Sequence, residues 1–228
     1  TRDSRRPASR IAGAILPIPR RIRSVSREVP RGGHPAYTAP AKEVPVKDEM
    51  TSGPIRVRAF RESDAQPLHE AVSESVAEVA PFETWCHPNF TLDEAMEYVA
   101  WWIRAREKRH AFYYAVEDAA APRFLGACGV SGYSNEHRHA MLGYWVRTSE
   151  TRRNVATTAA RLVAEAAFTD LGLVRISIGV PTANAASHRV VAKLGAVREG
   201  VMRQELILPS GPSDVVLYSL LPGELQVA

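Results

Sequence analysis

Met141-Leu142-Gly143-Tyr144-Trp145-Val146, then the polar run Arg147 to Asn154, then Val155-Ala156-Thr157, is the stretch on which the reading of this chain turns. Met141 to Val146 is apolar on both faces, as a central strand covered on each side must be, and Gly143 leaves one point without a side chain. From Val155 the period changes: Val155, Ala159, Leu162, Val163, Ala166 and Ala167 recur at helical spacing towards Gly172. A strand that feeds a helix through a short polar loop leaves several backbone N–H groups unpaired and pointing one way, an anion site suited to a pyrophosphate. Arg152 and Arg153 add positive charge at its rim, although two arginines before a helix are by themselves more often a solvated face.

Downstream, Val174, Ile176, Ile178 and Val180 alternate with Arg175, Ser177 and Gly179, which predicts a strand ending at Pro181. Asn184 caps a further helix whose inner face is Ser187, Val190, Val191 and Leu194, with Gly195 as its stop. Val201 to Leu208 and Val215 to Leu221 read as an antiparallel pair around the Pro209 to Pro212 turn. Upstream, Ile55, Val57 and Ala59 give a first strand, and Ser63 and Asp64 start a helix running to about Glu78. Thr91 with Glu94 is a capping-box pattern ahead of Met96, Val99, Trp102 and Ile103, a second helix to about Lys108. Ala111 to Glu117 and Phe124 to Val130 form a hairpin around Asp118 to Arg123. The order is mixed α/β (α+β): a strand, two helices, three strands, then strand and helix alternation and a terminal hairpin.

Charge divides along the 228 residues. Residues 1 to 50 carry 11 Lys and Arg against 5 Asp and Glu, whereas the remaining 178 carry 18 against 20, so the foldable part has no composition-level case for binding nucleic acid. Residues 1 to 49 also hold 7 of the 16 prolines and one aromatic, Tyr37, without periodicity. They are expected to be a disordered extension, dispensable for catalysis, with Met50 a plausible start and residues 50–228 forming the domain. The apolar patch Ile11 to Ile18 between arginines superficially resembles a targeting signal, but it is short and contains Pro17. No apolar run approaches the roughly 20 residues that cross a bilayer, so no membrane partner is expected. Cys86 and Cys128 make no CxxC pair, which fits a reducing cytoplasmic setting. His137 and His139 lack a third ligand at convincing spacing, so no metal is expected.

Leu142-Gly143-Tyr144-Trp145-Val146, the loop through Arg153 to Ala156, Asn184-x-x-Ser187 leading to Lys193-Leu194-Gly195-Ala196, Glu199-Gly200-Val201 and Asp214-x-x-x-Tyr218-Ser219 together resemble successive signatures of the GNAT acetyltransferase superfamily. Their order resembles the RimJ/RimL branch, the ribosomal-protein N-terminal acetyltransferases, and Arg56-x-Arg58 with Ser63-Asp64 fits that branch's opening, so the likeness spans about residues 54 to 225. The resemblance implies a mixed, mostly antiparallel sheet flanked by helices. It places acetyl-CoA where the strand Leu142 to Val146 splays from the strand Val174 to Val180, the fourth and fifth in this count. It further implies cofactor contacts from Tyr144, Trp145, Val146, Arg152, Arg153, Asn154, Val155, Ala156, Thr157, Asn184 and Ser187. Backbone N–H groups from Arg153 to Ala156 would hold the pyrophosphate, Asn184 would meet the pantetheine, and Ser187 would stand near the thioester sulfur as a donor to the leaving thiolate.

Two positions depart from the family pattern. Asn154 replaces the usual loop glycine, and asparagine tolerates a left-handed backbone better than most residues. Met141 stands where many relatives carry a strand glutamate, and methionine takes no proton. Glu83 and His87, in the loop before the second helix, are then the best candidates to relay a proton, although ordinary loop chemistry is the blander reading of each. Core packing is at least as good an account of Tyr144, and a better one of Trp145, Trp101 and Trp102. The leading expectation is direct transfer of acetyl to a primary amine, a protein α-amine before a lysine, by a monomer or homodimer. Acetylation of a small amine such as an antibiotic or polyamine, and acyl-CoA sensing without turnover, are the competing expectations.

Overall fold

The computed structural model describes residues 45–134 and 136–226. Eight strands form one sheet: β1 (Glu49–Ser52), β2 (Ile55–Ala59), β3 (Ala111–Asp118), β4 (Phe124–Ser134), β5 (His139–Val146), β6 (Arg175–Pro181), β7 (Val197–Leu208) and β8 (Gly211–Leu220), in the order β1-β2-β3-β4-β5-β6-β8-β7. Every neighbouring pair is antiparallel except β5 and β6, which run parallel. Their crossover is the helix α3 (Val155–Thr169), as a parallel connection demands.

Among the described residues four α-helices cover the two faces. On one, α3 and α4 (Ala185–Leu194) bury Val163, Ala167, Val191 and Leu194 against Val57, Tyr114, Leu142 and Ile176. On the other, α1 (Ala65–Val79) and α2 (Leu92–Glu107) bury Leu68, Val72, Tyr98 and Trp102 against Tyr113, Ala127 and Trp145. The alternation of a strand assigns β5 accordingly: Ala140, Leu142, Tyr144 and Val146 face α3 and α4, while Trp145 faces α1 and α2. Helix α2 starts as its sequence predicts, with Thr91 Oγ1 accepting from the Glu94 N–H at 3.2 Å and the Glu94 carboxylate accepting from the Thr91 N–H at 2.8 Å. At the other end of the chain's first core, Asp64 does not cap α1 but holds Arg58, which also binds Glu117, and the two carboxylates keep that buried guanidinium charged.

Two features differ from the expectation. Strand β1 was not foreseen, and the residues before it are part of the fold: Val46 packs on the core, the Asp48 carbonyl accepts from Ala59 N–H at 2.7 Å, and the Lys47 carbonyl accepts from Tyr114 Oη at 3.1 Å. The last five residues of the expected extension, 45–49, are therefore ordered, while residues 1–44 lie outside the described residues. With β1 counted, the splayed strands are the fifth and sixth.

Candidate active site

The parallel ladder between β5 and β6 has three residue pairs, His139 with Arg175, Ala140 with Ile176 and Met141 with Ser177. Beyond them β5 continues to Val146, paired only with β4, and β6 continues to Pro181, paired only with β8. From Leu142 onward the sheet is thus split, and the edges facing the split are backbone groups without a strand partner. This is the splay that the resemblance implies.

At the end of β5 the chain enters the anion loop. Asn154 is the N-cap of α3, with φ 60° and ψ 11°, and Arg152 is also left-handed at φ 62°. The left-handed tolerance of asparagine is used here, and the Asn154 side chain does not cap the helix: its Oδ1 accepts from Lys193 Nζ at 2.8 Å. Thr158 N–H bonds the Asn154 carbonyl at 2.9 Å, so the N–H groups of Val155, Ala156 and Thr157 are the orphan donors of the first turn. Val155 and Thr157 bury their side chains, which leaves their backbone as what they offer a ligand. Arg153 reaches back to bind Glu150 at 2.6 Å. Orphan donors, an uncapped 15-residue helix and basic side chains fit a pyrophosphate.

Across the split, Asn184 caps α4, its Oδ1 accepting from Ser187 N–H at 3.0 Å; the cap uses the amide oxygen and leaves Nδ2 as its contribution to a ligand. Ser187 Oγ lies 2.8 Å from Tyr144 Oη. Burial keeps the Tyr144 phenol well above its ordinary pKa and therefore protonated, with the Ser187 hydrogen bond opposing that shift. Two hydroxyls 2.8 Å apart use one proton between them and keep the other to donate. Beside them, His188 Nδ1 and Tyr218 Oη are 2.8 Å apart.

The Trp145 side of β5 holds a small cavity lined by Glu83, Trp85, Tyr98, Trp102, Tyr113 and Trp145, and Tyr144 also lines it. Gly129 makes room for it: a side chain there would meet Tyr113 at 2.4 Å, so only glycine lets that ring lie over the strand. The Trp85 and Trp145 rings stand 5.4 Å apart, and Trp102 stacks on Tyr113 at 3.7 Å. Glu83 is the carboxyl of this box. Desolvation pushes it up to about 8, against a weaker opposing bond from Trp85 Nε1 at 3.1 Å.

The sequence-named candidates thus fall into three groups. Arg152 to Thr157 form the end of the loop and the first turn of α3, Tyr144, Asn184 and Ser187 line the α4 side of the split, and Glu83 with Trp145 lies on the opposite face. Val146 shares the Tyr144 face. His87 joins none of them: its Nε2 lies 3.1 Å from Glu94 Oε1, tying it to the start of α2. Sequence reading missed the aromatic lining, whose members come from a loop, a helix and two strands, and it missed Glu150, although its i,i+3 spacing from Arg153 is an ion-pair pattern. Among the described residues no group of three or more His, Cys, Asp or Glu could hold a metal, and no helix is long and apolar enough to cross a membrane.

Comparison with known proteins agrees with this geometry. The sequence profile of the acetyltransferase (GNAT) domain matches residues 55–197. The chain is 27% identical over 131 residues to the uncharacterized N-acetyltransferase YoaA of Bacillus subtilis, which covers 58% of this chain and 74% of that one. Among solved structures it resembles a ribosomal-protein-S5-alanine acetyltransferase from Vibrio fischeri, at TM-score 0.69 and 20% identity over 78% of this chain and 99% of that one. It also resembles a RimL ribosomal L7/L12 α-N-protein acetyltransferase in complex with coenzyme A, at TM-score 0.70 and 21% identity over 78% and 97%. Identities this low speak for the fold. The profile match over most of the chain, on a sheet split between β5 and β6, shows that this protein belongs to the GNAT acetyltransferases.

Proposed function

We propose that the protein moves acetyl from acetyl-CoA to the α-amine of a protein or peptide, by direct attack. The observation that carries this reading is the placement of Glu83 in an aromatic cavity on one face of β5 while Tyr144 and Ser187 meet on the other. Attack needs the neutral amine. An α-ammonium with a pKa of about 7.7 to 8.0 leaves on the order of a tenth neutral at pH 7, whereas a lysine near 10.4 leaves less than roughly a thousandth. A carboxyl raised to about 8 is matched to the first and poorly matched to the second. Glu83 also supplies what Met141 cannot, because it reaches the Trp145 face of β5 from the loop after α1.

The steps follow from these roles. The N-terminal N–H groups of α3 and the basic loop would hold the pyrophosphate, and Asn184 beside the split strands would meet the pantetheine. Glu83 takes the proton that the attacking nitrogen loses as the N–C bond forms. The Tyr144–Ser187 pair gives a proton to sulfur as the C–S bond breaks, and free CoA leaves as a thiol. The resemblance to ribosomal-protein acetyltransferases supports a protein acceptor without identifying it.

Two matched peptide sets test the acceptor class, one with free N-termini and blocked lysines, the other with blocked N-termini and free lysines. Faster transfer to the first is expected. Faster transfer to the second refutes the α-amine assignment, and transfer to neither, with turnover on polyamines, moves it to small amines.

A further inference from the structure

Glu150 lies in the turn between β5 and α3, ahead of the anion loop, and it is only 4% exposed. One carboxylate oxygen accepts from Arg123 of the β3–β4 turn, and the other from Arg153 Nη1 at 2.6 Å. Helix α1 pins the same segment from its other side: Ser75 Oγ accepts from Thr148 N–H at 3.0 Å, and the Glu74 carboxylate accepts from Ser149 N–H at 2.8 Å and from Arg147. The chain then passes through two left-handed residues that are not glycine: Asn154 tolerates that conformation, whereas Arg152 keeps it only where the surroundings over-determine it.

A carboxylate beside a phosphate site works against the ligand by Coulomb repulsion. What Glu150 gives in return is order. The Arg153 side chain is 66% exposed, and without a partner its guanidinium would sample many rotamers before meeting an anion.

We propose that Glu150 is a positioning residue for CoA: acting through Arg153, it fixes that guanidinium, and the loop that carries it, against the CoA pyrophosphate. The proposal rests on the reading that the pyrophosphate lies on the first turn of α3. It makes a sign prediction. Charge alone predicts that removing the carboxylate tightens CoA binding, and positioning predicts that it weakens.

The test is the Kd of CoA by calorimetry, beside the Kd of pantetheine, which lacks the pyrophosphate, by ligand-observed NMR. Glu150→Gln is expected to weaken CoA about tenfold and to leave pantetheine unchanged, with Glu150→Asp intermediate. Arg153→Ala, at an exposed position that does not endanger folding, is expected to weaken CoA by a similar factor, and the double variant no further, because the two residues act as one unit. Unchanged or tighter CoA binding by Glu150→Gln overturns the proposal, as does an equal loss for pantetheine or full additivity with Arg153→Ala. If the unaltered protein binds CoA and pantetheine equally, the pyrophosphate reading itself fails, a result distinct from a normal preference for CoA that Glu150→Gln leaves intact.

Discussion

Tyr144 Oη stands 2.8 Å from Ser187 Oγ, joining β5 to α4 across the interval where β5 and β6 have parted. If this pair protonates the departing sulfur, Tyr144→Phe should lower kcat by roughly 10- to 100-fold while the KM for acetyl-CoA moves less than about twofold. Ser187→Ala should cost less, because the phenol keeps its own proton. Thiol release under saturating acetyl-CoA reads both. A loss confined to KM would make the pair a binding contact.

Glu83 ties activity and stability to pH in opposite directions. As a base it works ionised, so turnover should rise with pH and reach half its plateau near about 8, the value to which burial lifts it. The folded protein keeps this proton up to about 8, whereas the unfolded chain releases it near the ordinary 4.5. The folded state therefore holds the extra proton between those values, and this contribution to stability is full below the lower one and declines towards the upper one. Glu83→Gln should lower the plateau that the rate reaches at high pH, leaving only the rise that comes from deprotonation of the acceptor amine itself, and should melt higher than the parent near pH 8.5 but not near pH 4. A parental rate profile in this variant would exclude Glu83 as the base.

Asn154→Asp puts a negative charge at the mouth of the first turn of α3 and should weaken CoA about tenfold or more, partly relieved because Lys193 already sits 2.8 Å from that side chain. Asn154→Gly, which adopts φ 60° without strain, should bind within about threefold of the parent. Calorimetry on the two variants separates charge from backbone conformation, and equal affinities would move the pyrophosphate elsewhere.

A chain beginning at Met50 loses Val46 from the core, the Asp48 ion pair with Arg106, and the backbone bond from Ala59 to Asp48. Its melting midpoint should fall by about 5 °C or more, while a chain beginning at Pro45 keeps the parental midpoint. Equal midpoints would mean that residues 45–49 contribute nothing measurable.

The fold was legible because its elements announce themselves locally. The Thr91–Glu94 box, the Gly195 stop and the two-faced apolar run of β5 each act within a few residues of where they are written. Strand β1 was not legible: Glu49-Met50-Thr51-Ser52 has no apolar alternation, and it is a strand because β2 offers it an edge. The loop before α3 and the Asn184 start of α4 could be read from motif order. The aromatic cavity could not, since Trp85, Tyr98, Tyr113 and Trp145 meet only after two helices fold onto the sheet and Gly129 admits a ring. His87 misled for a related reason: it lies four residues from Glu83, but its ring turns to Glu94.

The three-pair ladder between β5 and β6 also divides the molecule mechanically. Among the described residues five strands lie on one side and three on the other, and past Ser177 no strand pairing ties them together. A bound CoA that touches α3, α4 and both splayed strands would act as a rivet across that seam, so the empty protein should open there first. Amide exchange at Ile178 to Val180 should then slow sharply as the ligand saturates, by more than the general gain in stability that binding confers.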